Sequence, residues 1–211
     1  MRPQLAILAV CGCATTPPPA PTPPGSRGMR ASDHLEAARQ QDELAQQALA
    51  YPDVRAGTMG SVHDMPLATP WTRTWDTRVD HERLAQVHRS AAAQLHAEYD
   101  EACRGRSAAQ TSISPIARFA IGGTPTPNGM IVYLSADAGA PDRLLADMRC
   151  HRAWMMLAPS GMDDCPLDLA DIQVTARGTL EEIEVTITVS DPALVGELQR
   201  RVAHELEAHA F

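Results

Sequence analysis

The chain has 211 residues, with 26 acidic against 18 basic side chains, a formal net charge of −8 and 44% hydrophobic residues. Its length and composition suit one or two small soluble domains, and its acidic balance, with scattered basic residues, argues against the basic face that a nucleic-acid binder needs. Every basic residue is arginine and none is lysine; beside the alanine richness this reads as the codon bias of a GC-rich genome, which makes arginine here a weak sign of anion recognition. No phosphate loop, dinucleotide fingerprint, paired-cysteine zinc motif or nucleophile elbow occurs.

Met1 to Ala14 reads MRPQLAILAVCGCA: Arg2, an apolar run from Leu5 to Val10, then Cys11 and Cys13 among small residues. This segment resembles a bacterial lipoprotein signal. In that family a peptidase cuts before a cysteine whose sulfur carries diacylglycerol, and the acylated amino group completes the anchor. The resemblance implies lipidation at Cys13, which follows Gly12, with Cys11 as the alternative behind Val10. Residues 1–12 are then the signal peptide, and palmitate-type acyl chains hold the protein to the bilayer. Neither cysteine is followed by aspartate, so the resemblance implies an outer-membrane protein of the cell envelope that faces the periplasm. No apolar run approaches the ~20 residues of a membrane-spanning helix. Residues 13–30 are a tether with six prolines between Pro17 and Pro24, which favours extended polyproline II at ~3.1 Å per residue.

Residues 31–105 predict a helical hairpin with a long loop. Over 33–50, Asp33 and Glu36 have capping-box spacing, and Leu35, Ala38, Asp42, Ala45 and Leu49 form a helical stripe that Pro52 ends. A second helix is expected from about Val79 to Arg104, with Leu84, His88, Ala91, Leu95, Tyr99 and Ala102 on its inner face. The loop between them carries Trp71 and Trp75, whose area and stacking capacity make them a candidate binding surface for a sugar, peptide or protein.

Residues 114–211 change period. Arg118 to Ile121 and Met130 to Ser135 read as strands around a glycine- and proline-rich turn, Gly122 to Gly129. Pro141 opens a helix to about Leu157, with Leu144, Met148, His151 and Met155 on one face. Ile172 to Ala176 and Ile183 to Val189 read as strands, and Asp191 with Pro192 starts a last helix through Leu194, Leu198, Val202 and Leu206. The expected fold class is α+β: the helical hairpin followed by a two-layer ββαββα sandwich with an antiparallel sheet. That class hosts many functions and implies none.

Two cysteine readings compete. Cys150 falls in the third helix and Cys165 in the loop behind it; the helix runs on for roughly 10 Å and the loop is long enough to return. In an oxidising periplasm this predicts a Cys150–Cys165 disulfide, which leaves Cys103 without a partner. The alternative is a soft metal site of Cys150, His151 and Cys165 with Met155 or Met162, suited to copper(I) or zinc. Its weakness is that adjacent helical residues point about 100° apart. In the hairpin, His81 and His88 share a face, and antiparallel packing brings Asp42 level with His88. That juxtaposition reads first as a hydrogen-bonded pair and second as further metal ligands.

The helix reading MRCHRAW and the later CPLDL resemble segments of alanine- and histidine-rich lipoproteins of GC-rich bacteria such as myxobacteria, a likeness that implies no activity. The sequence thus leads to a membrane-anchored periplasmic lipoprotein with a non-enzymatic binding or structural role. Its expected partners are the bilayer and a protein or cell-wall component, with neither cofactor nor nucleic acid. A periplasmic copper- or zinc-binding lipoprotein is the alternative, and a hydrolase of envelope material ranks third.

Overall fold

The computed structural model describes residues 27–50, 77–157, 164–179 and 181–208. Cys11, Cys13, Trp71 and Trp75 lie outside the described residues. Within them the chain is mixed helix and strand, with one four-stranded antiparallel sheet.

Helices α1 (Ala31–Ala50) and α2 (Thr77–Ala102) form the hairpin. Their seam is alanine: Ala31, Ala38 and Ala45 of α1 and Ala85 and Ala92 of α2 are buried. The seven-residue spacing keeps one small side chain facing the partner at every second turn, which lets the backbones approach closely. The expected stripes hold at Ala38 and Ala45 of α1, and His88, Ala91, Leu95, Tyr99 and Ala102 of α2 are half-buried; the leucines are the correction. Leu35 and Leu49 are 50% and 64% exposed, and Leu84 is exposed as well. The α1 start also differs: the Asp33 carboxylate accepts the Arg30 backbone N–H, while Glu36 pairs with Arg39 and Gln40 instead of capping.

Two short helices follow, α3 (Ala108–Thr111) and α4 (Pro115–Phe119). Arg118 and Phe119 are therefore helical, against the strand expected there. Ser114 caps α4 by accepting the Ala117 N–H, and Pro115 at the first helical position needs no partner for a missing N–H. Strand β1 (Ala120–Thr126) runs straight through the Gly-Gly-Thr-Pro-Thr run expected to be a turn, and pairs with β2 (Gly129–Ser135) across Pro127-Asn128. Proline is tolerated because β1 is the sheet edge.

Helix α5 (Pro141–Met155), strands β3 (Ile172–Gly178) and β4 (Glu182–Val189), and helix α6 (Val195–Ala208) complete the chain. The sheet order is β1-β2-β4-β3. Met130, Val132 and Leu134 of β2 stand opposite Ile187, Val185 and Ile183 of β4, giving three apolar cross-strand rows on one face. All six are buried against Leu144, Met148 and Met155 of α5 and Leu198 and Val202 of α6. On the reverse face Tyr133 pairs with Glu184 and Thr175 with Thr186, a polar surface. Period-2 alternation in β4 and the spacing of Leu144, Met148 and Met155 in α5 are the patterns these faces require.

The entry to α6 is a 3-10 turn, Pro192–Leu194, capped by the Asp191 carboxylate accepting the Ala193 N–H at 2.9 Å. Asp191→Ala removes that acceptor and is expected to cost about 1 kcal/mol, read as a lower midpoint in urea with an unchanged slope. An unchanged midpoint would mean that the cap contributes nothing.

Candidate functional site

Four arginines meet at one open cleft of about 360 Å³, Arg104, Arg106, Arg118 and Arg143, together with Asp137 and Asp147. Arg104 and Arg106 belong to the turn that leaves α2, Arg118 to α4, and Arg143 to the first turn of α5. Gly105 (φ +77°) and Gly139 (φ +85°) make the left-handed bends that bring these segments to the cleft rim. Arg106 is committed to structure: its Nε donates to Asp147 Oδ1 at 2.6 Å and its Nη1 to the Ala102 carbonyl at 3.3 Å, tying the end of α2 to α5. The Arg118 guanidinium lies 5.7 Å from the Phe119 ring centroid, a cation–π distance that steadies it while leaving its donors free. Among the described residues, Arg104, Arg118 and Arg143 form no ion pair, and neither does Asp137. The α5 N-terminus beside them has Ala140 at its cap position and no side-chain cap, so its first amides add positive potential.

A second cluster is buried. His151 Nδ1 donates to the Thr111 carbonyl at 2.7 Å, which leaves its Nε2 lone pair facing Cys165 Sγ at 3.7 Å. Burial lowers the His151 pKa and keeps the ring neutral. The Cys165 thiol is pushed well up by burial and by the nearby Glu205 carboxylate, so it stays protonated. Glu205 itself is raised to about 7, again by burial, against hydrogen bonds from Cys165 and Ser114 that pull it down. Arg201, a buried residue of α6, holds this loop by donating to the Cys165 carbonyl at 3.2 Å and to Glu197 at 2.7 Å. A protonated thiol sealed from solvent packs and hydrogen-bonds; nucleophilic work would require the thiolate.

The expected Cys150–Cys165 disulfide is replaced by Cys103–Cys150, with Cα atoms 4.8 Å apart and a sequence separation of 47. Cys165 is free and buried. The reason is helical direction. Cys150 and His151 point to different sides of α5, so Cys150 faces the end of α2 while His151 faces the loop that carries Cys165. The soft metal set of Cys150, His151 and Cys165 falls with it, since the Cys150 sulfur is spent in the disulfide. The hairpin set is also not assembled. His81 donates to Gln41 at 2.7 Å, His88 and His34 lie 3.0 Å apart through their Nδ1 atoms, and Asp42 pairs with Arg89 at 2.9 Å instead of His88. Among the described residues no group of three or more His, Cys, Asp or Glu side chains is placed to hold a metal ion.

Sequence reasoning missed the cleft, because its arginines, Arg104 to Arg143, are separated by up to 39 positions and carry no local pattern. The Ser114-Pro115 cap was the one available signal for the α4 part of it. No described helix is long and apolar enough to cross a membrane. Comparison with protein-family models, with curated proteins and with solved structures finds no match for the chain.

Proposed function

We propose that this chain is a lipid-anchored protein of the bacterial envelope and that its folded body is a binding module, not an enzyme, which holds an anionic ligand in the arginine cleft. The anchor part rests on the lipobox-like Cys11 to Cys13 segment and the proline tether behind it, with the outer membrane as its site and the periplasm as the space it faces. The body is read as two ββα units laid into a two-layer sandwich, with the cleft at the start of the helix of the first.

The observation that carries the ligand site is the convergence on one cleft of three arginines that have no acidic partner among the described residues, in a chain whose net charge is −8. A strongly acidic protein that gathers unpaired positive charge at one concave place creates a focused local field for anions. Guanidinium forks suit carboxylate and phosphate groups bidentately. A cell-wall component or protein segment with exposed carboxylates is the partner this favours.

Two measurements test the proposal. Replacing Cys11 and Cys13 together by serine is expected to release the protein from the washed membrane fraction; a variant that still pellets defeats the anchor. For the cleft, thermal melts of the full-length protein with citrate, phosphate and acidic peptides at matched ionic strength are expected to show stabilisation by at least one anion. Mass action makes this about 2.7 kcal/mol at a hundred times the Kd. The double variant Arg118→Gln, Arg143→Gln is expected to lose it. Failure of every anion to raise the melting temperature would end the binding reading.

A further inference from the structure

From the charges left unpaired in the arginine cleft, we infer that its ligand is zwitterionic: a short acidic peptide that carries a free ammonium group beside two or more carboxylates. This rests on the anion-binding reading above and specifies the ligand within it. Arg106 and Asp147 neutralise each other, which among the described residues of the lining leaves Arg104, Arg118 and Arg143 against the one remaining carboxylate, Asp137. Asp137 sits in the 3-10 turn that follows β2 and is exposed, without an ion pair among the described residues.

A site made for phosphate or another purely anionic group gains nothing from that carboxylate and is repelled by it. A ligand with one ammonium group turns the same carboxylate into an attractive contact, while its carboxylates take the three guanidiniums. Repulsion of one ligand class and attraction of another by one residue is how charged sites discriminate. The volume of about 360 Å³ stands at the small end of ligand pockets and suits a dipeptide-sized molecule. Ile113 and Phe119 on the lining offer apolar surface to methylene stems between the charges. Glutamyl-glutamate has the matching set, with three carboxylates and one ammonium.

Calorimetric titration of the full-length protein in neutral detergent, at low salt, compares glutamyl-glutamate, its N-acetyl derivative and inorganic phosphate. Glutamyl-glutamate is expected to bind at least tenfold more tightly than the acetylated peptide, and more tightly than phosphate. Asp137→Asn is expected to erase the difference between the two peptides by weakening only the free-amine form. Arg143→Gln is expected to weaken both. Equal affinity of the two peptides, equal weakening of both by Asp137→Asn, or a preference for phosphate would overturn the zwitterion inference and leave the anion reading standing. No binding by any of the three probes, or binding untouched by Arg143→Gln, would overturn both.

Discussion

Protein in which Cys103 and Cys150 are both replaced by alanine is expected to unfold about 4 kcal/mol more readily than the parent. The bond joins positions 47 residues apart, and closing a loop of that size removes entropy from the unfolded chain worth about 4 kcal/mol. For a domain of this size the change corresponds to a fall in Tm of roughly 8 to 16 °C. Calorimetry of parent and double variant under oxidising conditions measures it, and superimposable melts would show that the bond contributes no stability. The pairing itself is checked by digesting unreduced protein. The expected result is one linked peptide pair containing Cys103 and Cys150, with Cys165 alkylated only after unfolding. A Cys150–Cys165 pair would reverse the assignment.

Glu205 gives the second large effect, which depends on pH. Its folded-state pKa of about 7 lies above the ordinary carboxyl value of 4.5, chiefly through burial. Below pH 4.5 the carboxyl is protonated whether the chain is folded or not, and it costs nothing. As pH rises toward 7, the unfolded chain gains an ion that the folded protein resists forming, so stability falls across that window. Above 7 the full penalty is in place, about 2 to 3 kcal/mol for a half-buried group. Glu205→Gln keeps the shape and an acceptor for Ser114 but removes the ionisation. The variant is expected to match the parent at pH 4 and to exceed it by that amount at pH 8 in urea unfolding. Curves that stay parallel across the range would show that Glu205 titrates normally.

The parts of the fold legible in the sequence are those in which a single period decides the buried face. The alternation through Ile183, Val185, Ile187 and Val189 and the spacing of Leu144, Met148, His151 and Met155 each mark residues that are buried in the structure. The Asp191-Pro192 start of the last helical segment was equally local, because a carboxylate cap acts within its own turn. The hairpin was harder. Ala38 and Ala45 of the expected stripe are buried, yet the leucines beside them, Leu35, Leu49 and Leu84, are exposed, because small side chains permit the close approach that buries them. The Gly-Gly-Thr-Pro-Thr strand was hidden because edge pairing overrides local turn preference. The cysteine pairing depended on which way Cys150 faces across α5, a tertiary fact that loop-length reasoning does not reach. The cleft was the least legible part. Its charges come from four chain segments, and arginine frequency alone could not distinguish a gathered set from a dispersed one.

Among the described residues, the hairpin is fastened to the body at the end where α1 begins and α2 ends, by the Arg106–Asp147 and Arg30–Asp168 ion pairs and by three further bonds. Ala31 N–H donates to the Met156 carbonyl, the Arg27 guanidinium to the Arg152 carbonyl, and Cys103 is joined to Cys150. All three lie where α1 begins and α2 ends. The opposite end, at Ala50 and Thr77, stands a helix length away, about 39 Å for the 26 residues of α2. Seen as a lever arm, the hairpin has its fulcrum at this end, where the disulfide is the one covalent tie among the described residues. A tilt of about 5° at that fulcrum carries the far tip through about 3 Å for an arm of this length, so rigidity at Cys103 governs how far the tip sweeps. Arg104 and Arg106 are the next charged residues along the chain from the fulcrum. The rim of the arginine cleft therefore begins at the residue next to this attachment point.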